Sequence, residues 1–296
     1  MEVSRLYPSK NTIRNNSSIK YSVNCQSKID TSNDTKDLLD IFSQIDATSS
    51  DYKLFKGLLE KKESIVIKIG SSKLKTEYEF GTMLKKLYIP TFIHFFCLFH
   101  CKDDFKSINT NTQILCKKYG KDTIHILVMP NIELGTIDNS EYKWNRDNFD
   151  VLKNVLKHIT ASLLYAHKET GFIHNDLHLG NIMLKKSRQS KISYGEFSSL
   201  DCMGIIPIIM DFDRSIIQEN NFSLLYDKLQ TTMQYIAPLN DIKINMNPVV
   251  NYLEQLIKKK SMPTKDICNK IYDTIDKITI RHLTSEIPQM PNWSKF

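Results

Sequence analysis

Phe172-Ile173-His174-Asn175-Asp176-Leu177-His178-Leu179-Gly180-Asn181-Ile182-Met183-Leu184 runs from an apolar lead-in through a polar turn to an apolar exit. The exit, Ile182 to Leu184, has the composition of a short buried strand. The turn carries one carboxylate, Asp176, and one amide, Asn181, five residues later. Phosphoryl transfer needs such a pair. A carboxylate orients or accepts the proton of an attacking hydroxyl, and an amide oxygen holds a magnesium ion against the phosphates.

The spacing His174-Asn175-Asp176-Leu177 followed by Asn181 is that of the kinase catalytic loop H-R-D-L-x-x-x-N. The chain therefore resembles the protein-kinase superfamily. Its local form, Asp176-Leu177-His178-Leu179-Gly180-Asn181, is closer to haspin-like atypical kinases and to kinases of large DNA viruses than to the common Asp-Leu-Lys-Pro form. Aminoglycoside and choline kinases share it. In this resemblance His178 takes the place where common serine/threonine kinases put a lysine near the γ-phosphate. It either assists there or braces the loop. His174 is expected to support the backbone around the metal-binding aspartate.

Upstream, 148–170 reads as a long helix. Phe149, Leu152, Val155, Leu156, Ile159, Leu163 and Leu164 form one apolar stripe, with Asn145 or Asp147 as its N-terminal cap and Gly171 as its end. Before it, the strand Thr123 to Met129 joins Pro130-Asn131-Ile132-Glu133-Leu134-Gly135. This join resembles the kinase hinge. The resemblance makes Met129 the gatekeeper and puts the backbones of Pro130 and Ile132 against adenine; Pro130, lacking an N–H, offers only its carbonyl. The run Thr91 to Cys101 reads as a strand. Its alternation puts His94 and His100 on one face and Cys97 and Cys101 on the other, against a zinc site.

Ser64 to Ile69 is a β-branched strand carrying Lys68, similar to the V-A-I-K strand of kinases. A lysine there is costly unless it meets anions. The resemblance implies that these are the α- and β-phosphates and a helix glutamate. On the helix expected over 74–87, with its stripe of Phe80, Met83, Leu84 and Leu87, Glu77 is the candidate partner and Glu79 the fallback. Further upstream, 37–58 reads as strand, turn, strand without G-x-G-x-x-G. The small residues Ala47 to Ser50 stand where a glycine-rich lid is expected. Residues 1–36 read as a mobile arm.

Downstream, Lys185 to Leu200 reads as a polar surface excursion. The apolar run Ile205 to Met210 then enters Asp211-Phe212-Asp213, which resembles D-F-G; the long gap from Asn181 is a second likeness to haspin-like kinases. Asp211 is the expected magnesium ligand, together with Asn181, and Asp213 is expected to be solvated. No A-P-E follows at the usual place. Asn175 stands where an arginine usually reads an activation-loop phosphate, which implies a constitutively arranged site. Leu224 to Met233 reads as a helix, and Val249 to Ile278 as two amphipathic helices finishing the chain's second half.

The 296 residues, 41% of them hydrophobic, suffice for one large or two small domains. The net charge of +7 suits anionic ligands such as nucleotides and gives no strong case for nucleic acid. No stretch has the length of a membrane helix, and Met1 to Lys10 has no apolar core of a secretory signal. Cys25, Cys97, Cys101, Cys116, Cys202 and Cys268 form no C-x-x-C pair, as in a reduced, intracellular, cytoplasmic protein.

The expected architecture is α+β, a bilobal protein-kinase-like fold with a small β-rich N-lobe over 37–129, a hinge over 130–135 and a mainly helical C-lobe over 136–296. The resemblance implies ATP-dependent transfer of the γ-phosphate to a serine or threonine of a protein substrate by a monomer using ATP and Mg2+. Asp176, Lys68, Glu77 and His178 are the catalytic candidates. Lys68, Met129, Pro130, Ile132, Asn181 and Asp211 are the nucleotide-binding ones. The alternatives are a small-molecule kinase of the aminoglycoside or choline type, and a pseudokinase acting as a binding module.

Overall fold

The computed structural model describes residues 39–45, 52–59, 62–101, 124–139, 142–239 and 242–283. The N-terminal arm and the segment Ala47 to Ser50 lie outside these. The architecture is α+β. Strands β1 (Leu39–Ile45), β2 (Tyr52–Leu59), β3 (Glu63–Gly70), β4 (Cys97–His100) and β5 (His125–Pro130) form one antiparallel sheet in the order β1-β2-β3-β5-β4. Period-two alternation divides β3 between two environments. Ile65, Ile67 and Ile69 enter an apolar cluster with Phe55, Phe99 and Val128. Val66 and Lys68 point to the opposite face, where they line a cavity.

Helix α1 (Lys73–Lys85) packs beside the sheet. Its buried residues are Leu74, Glu77, Gly81 and Leu84. Of the expected stripe only Leu84 is fully buried, and Phe80, Met83 and Leu87 pack half-buried at the margin. Gly81 accounts for the difference. A Cβ there would lie 2.3 Å from the Phe95 ring, so only glycine lets this face approach so closely and bring Glu77 inward.

The expected strand over 91–101 is shorter than its alternation suggests. Thr91 and Ile93 are drawn to a different partner: the Ile93 N–H donates to the Ile209 carbonyl at 2.9 Å, and the Ile209 N–H to the Thr91 carbonyl at 2.7 Å. Strand pairing therefore starts only at Cys97. Cys101 is disulfide-bonded, which corrects the expectation of an all-thiol set, whereas Cys97, Cys202 and Cys268 are buried thiols.

The helical half is built on α2 (Phe149–Thr170), whose apolar stripe is entirely buried. Gly171 ends it at φ 70°, with its N–H donating to the His167 carbonyl at 2.7 Å. At the start, Asn148 holds the cap position, and the Asn145 side chain accepts from the N–H groups of Asp147 and Asn148 just before the helix. Two short strands follow: β6 (Phe172–Ile173), and β7 (Ile182–Lys186) after a single turn of 3-10 helix.

The polar excursion after β7 is a packed hairpin, β8 (Lys191–Ser193) and β9 (Ser199–Asp201), and not a surface loop. Ile192, Tyr194 and Phe197 anchor it in the core, and the Tyr194 hydroxyl meets His158 Nδ1 at 2.6 Å. Three buried side chains among polar neighbours leave no periodic trace. Then come β10 (Ile205–Ile209), paired with β7, and β11 (Ile216–Ile217), paired with β6. Helices α3 (Phe222–Ile236), α4 (Asn247–Lys259) and α5 (Lys265–Asp276) follow, with β12 (Ile242–Asn245) and β13 (Thr279–Leu283) forming a ribbon. No helix among the described residues is long and apolar enough to cross a membrane.

Gly81→Ala tests the close approach of α1. Alanine favours a helix interior by about 1 kcal/mol, but overpacking against a buried ring costs about 1–3 kcal/mol. The expected outcome is net loss of stability, read as a lower midpoint in chemical denaturation. An unchanged or higher midpoint contradicts the packing described.

Candidate active site

Lys68 sits near the end of β3, 3% exposed. Its ammonium donates to Glu77 Oε2 at 2.9 Å and to Asp211 Oδ1 at 2.6 Å. The Tyr52 ring lies over it, 4.3 Å from the ring centroid to Nζ. Register explains that placement: Tyr52 is opposite Gly70, which offers no side chain, so the ring leans over Lys68 instead. Glu79 is exposed and 4.0 Å from Lys75, so the helix brings Glu77 to the lysine and turns Glu79 away.

Burial by itself would lower the Lys68 pKa; the Glu77 and Asp211 carboxylates outweigh it and raise it. Burial pushes Glu77 up to about 7, against the pull of Lys68. Glu77 Oε1 is buried with no hydrogen-bond partner. The Lys68 ammonium therefore sits between two carboxylates, one of which keeps an unused acceptor oxygen.

Asp211 follows β10 in the left-handed region, φ 66°. This turn sends Phe212 into the core, where its ring meets Phe92, Phe95, Phe172 and His174 edge-on. Two hydrogen bonds clasp the preceding residue to the polar turn. The Met210 N–H donates to the Asn181 carbonyl at 3.1 Å, and His174 Nε2 lies 2.8 Å from the Met210 carbonyl. A carbonyl only accepts, so His174 carries its proton on Nε2, and burial lowers its pKa and keeps it neutral.

The polar turn is closed from within. Asn181 Nδ2 donates to the Asp176 carbonyl at 2.9 Å, which leaves Oδ1 available to a cation. Thr232 Oγ1, from α3, donates to the Leu177 carbonyl at 3.1 Å. Asn175 adopts φ 61° and donates through Nδ2 to the Arg214 carbonyl at 3.3 Å.

Lys68, Met129, Pro130, Ile132, Asn181 and Asp211 all line one cavity of about 470 Å3 between the sheet and the helical half. That is the size of a small-molecule site. At the connecting strap, Asn131 turns its N–H and its side chain to Ser64, at 3.0 and 3.1 Å, with Pro130 and Ile132 on either side of this clasp. A smaller cavity of about 120 Å3 continues past Lys68 and Asp211 to Asp176, Asp213 and Arg214. Asp213 is half-buried there instead of solvated, and burial, with Asp211 nearby, raises its pKa.

His178 stands apart. It is exposed and lines neither cavity, and its Nδ1 accepts the Gly180 N–H at 3.2 Å. Two residues of the site escaped sequence reading. Tyr52 shares a strand face with Leu54, but its position over Lys68 depends on the β2–β3 register. Arg214 lies one residue past the aspartate pair, and its Nη1 is 3.4 Å from Asp176 Oδ2. Among the described residues no group of three or more His, Cys, Asp or Glu could hold a metal ion.

No family model matches the chain. It is similar to the serine/threonine-protein kinase haspin of Bos taurus, 30% identical over 105 residues, or 34% of this chain and 13% of the bovine protein. The haspin of Mus musculus is 29% identical over 105 residues, 34% of this chain and 14% of the mouse protein. Uncharacterized protein 098R of Invertebrate iridescent virus 6 is 29% identical over 91 residues, 28% of this chain and 15% of the viral protein. The matched segments thus span well under two thirds of these relatives' length. The chain is similar to protein-kinase-like proteins, and to the haspin type among them.

The raised Glu77 pKa has a signed consequence. A carboxyl protonated more readily in the folded than in the unfolded chain contributes stability below its ordinary pKa of 4.5, and this is lost as pH rises through about 7. Glu77→Gln removes that contribution. In denaturant unfolding without nucleotide, the stability of the wild type relative to the variant should fall between pH 5 and pH 8. A flat difference contradicts the burial argument.

Proposed function

We propose that the chain is an ATP-dependent serine/threonine protein kinase of bilobal architecture, its sheet and α1 forming the smaller lobe and the cavity of about 470 Å3 the nucleotide cleft. One observation carries this reading: Lys68, paired with Glu77, faces Asp211 and Asn181 in one cavity that leads on to Asp176. The haspin relatives support a protein acceptor.

The residues suit magnesium-bound nucleotide. An Asp carboxylate and an Asn amide oxygen are hard oxygen donors, and magnesium is typically held by one or two such groups with phosphate and water completing the shell. The Lys68 ammonium has three N–H donors and gives two of them to Glu77 and Asp211, which leaves one for a phosphate oxygen. When bound, magnesium supplies neutralisation of the phosphate oxygens.

The chain's own groups do the rest. Lys68, fixed by Glu77, orients the phosphates. Asn181 and Asp211 hold the cation. Met129 closes the back of the cleft, and the Pro130 carbonyl and Ile132 backbone meet the base edge. Asp176 accepts the acceptor's hydroxyl proton as the phosphoryl group moves.

Thermal unfolding with Mg-ATP tests the cleft. At 100 times its dissociation constant a ligand of the folded state adds about 2.7 kcal/mol. The wild type should be stabilised and Asp211→Asn much less so. Labelled phosphate should then pass to a protein acceptor, with Asp176→Asn lowering kcat at least about 100-fold, the usual scale of general-base assistance. No stabilisation of the wild type overturns the proposal. Transfer to amino alcohols or aminoglycosides, but to no protein, replaces it with a small-molecule kinase.

A further inference from the structure

We propose that Arg214 contacts the transferring phosphoryl group, supplying the positive charge that the polar turn itself does not. This rests on the kinase reading above and adds a residue to it. The cations lining the smaller cavity are Lys68, Lys73 and Arg214. Lys68 is engaged by Glu77 and Asp211 at the nucleotide end. His178, on the turn, is exposed and folded back on Gly180. Beside Asp176 stands Arg214, Nη1 to Oδ2 at 3.4 Å.

The backbone of Arg214 is held while its side chain remains 66% exposed. Its carbonyl accepts from Asn175 Nδ2, and the Ser215 N–H donates to the Phe212 carbonyl at 3.0 Å. Ser215 Oγ donates to the His174 carbonyl at 3.2 Å, and Ile216 pairs with Ile173. The guanidinium and the Asp176 carboxylate are thus borne by two segments zipped side by side, with the guanidinium lining the smaller cavity.

In the reaction, the bond from the terminal phosphorus to the ADP oxygen breaks and a bond from phosphorus to the acceptor oxygen forms. The hydroxyl proton passes to Asp176. Negative charge lies on the equatorial oxygens in transit, and a planar guanidinium donates to two of them at once. Arg214 accordingly acts in transit more than in nucleotide binding.

The test is thermal unfolding with Mg-ADP alone and with Mg-ADP plus aluminium fluoride, whose fluoroaluminate anion mimics the group in flight, for the wild type, Arg214→Met and Arg214→Lys. The expected result is an equal Mg-ADP shift in all three. The further fluoride-dependent shift should be present in the wild type, reduced in Arg214→Lys and lost in Arg214→Met. In steady-state assays Arg214→Met should lower kcat about 100-fold with KM for ATP within twofold. A fluoride-dependent shift retained by Arg214→Met, or absent from the wild type despite binding of Mg-ADP, overturns the role of Arg214. So does an Arg214→Met defect that vanishes at high pH, because Arg214 then only tunes Asp176. Absence of any Mg-ADP shift in the wild type refutes the kinase reading itself, and the role with it.

Discussion

A buried ammonium is the constraint from which the rest of the site follows. An amine removed from water is expensive unless anions surround it. Lys68 meets this condition through two carboxylates from distant parts of the chain, Glu77 and Asp211. Satisfying both fixes β3, α1 and the segment after β10 relative to one another. Gly81 belongs to the same requirement, since its missing side chain lets α1 come near enough for Glu77 to reach. Phe212 belongs to it too: the left-handed backbone at Asp211 turns the carboxylate to the lysine and the next ring into the core.

The polar turn is held in the same spirit, by short bonds to backbone and not by bulk. His174, neutral in its buried site, reaches the Met210 carbonyl; Asn181 spans back to the Asp176 carbonyl; Thr232 reaches in from α3 to Leu177. These bonds compensate a backbone that takes up positive φ at Asn175 and Asp211, conformations that cost energy for residues with a side chain. Lys68 from β3, Asp176 and Asn181 from the polar turn and Asp211 from the segment after β10 are thereby presented to adjoining cavities.

Sequence made legible what rests on chemistry or on a single period. Lys68, Asp176, Asn181 and Asp211 stood out because their spacing resembles that of kinase motifs, with the polar turn between Asp176 and Asn181 set against apolar strands. The helix over 149–170 stood out because seven apolar residues repeat along one face. Non-local pairing left no such mark. The β12–β13 ribbon joins segments on either side of two helices, and the Ile209 contacts that pull 91–93 off the sheet come from a strand far along the chain. Tyr194 and Phe197 look like chance aromatics in a polar stretch until the core beneath them is known. His178 shows a related limit: a motif position gives an address along the chain, whereas the bond that its Nδ1 accepts from the Gly180 N–H is seen only in the folded turn.

The larger apolar cluster crosses the cleft. It runs from Leu74 and Leu84 on α1, through Leu127 and Met129 on β5, to Leu156, Phe172 and Phe212. The cleft is therefore a seam in one continuous oil phase, not a gap between two bodies that fold alone. A break in the chain at the connecting strap would leave two raw apolar faces where there is now one interior. Heat should accordingly take the molecule apart in a single cooperative melting, with the cleft lost in the same event as the core around α2.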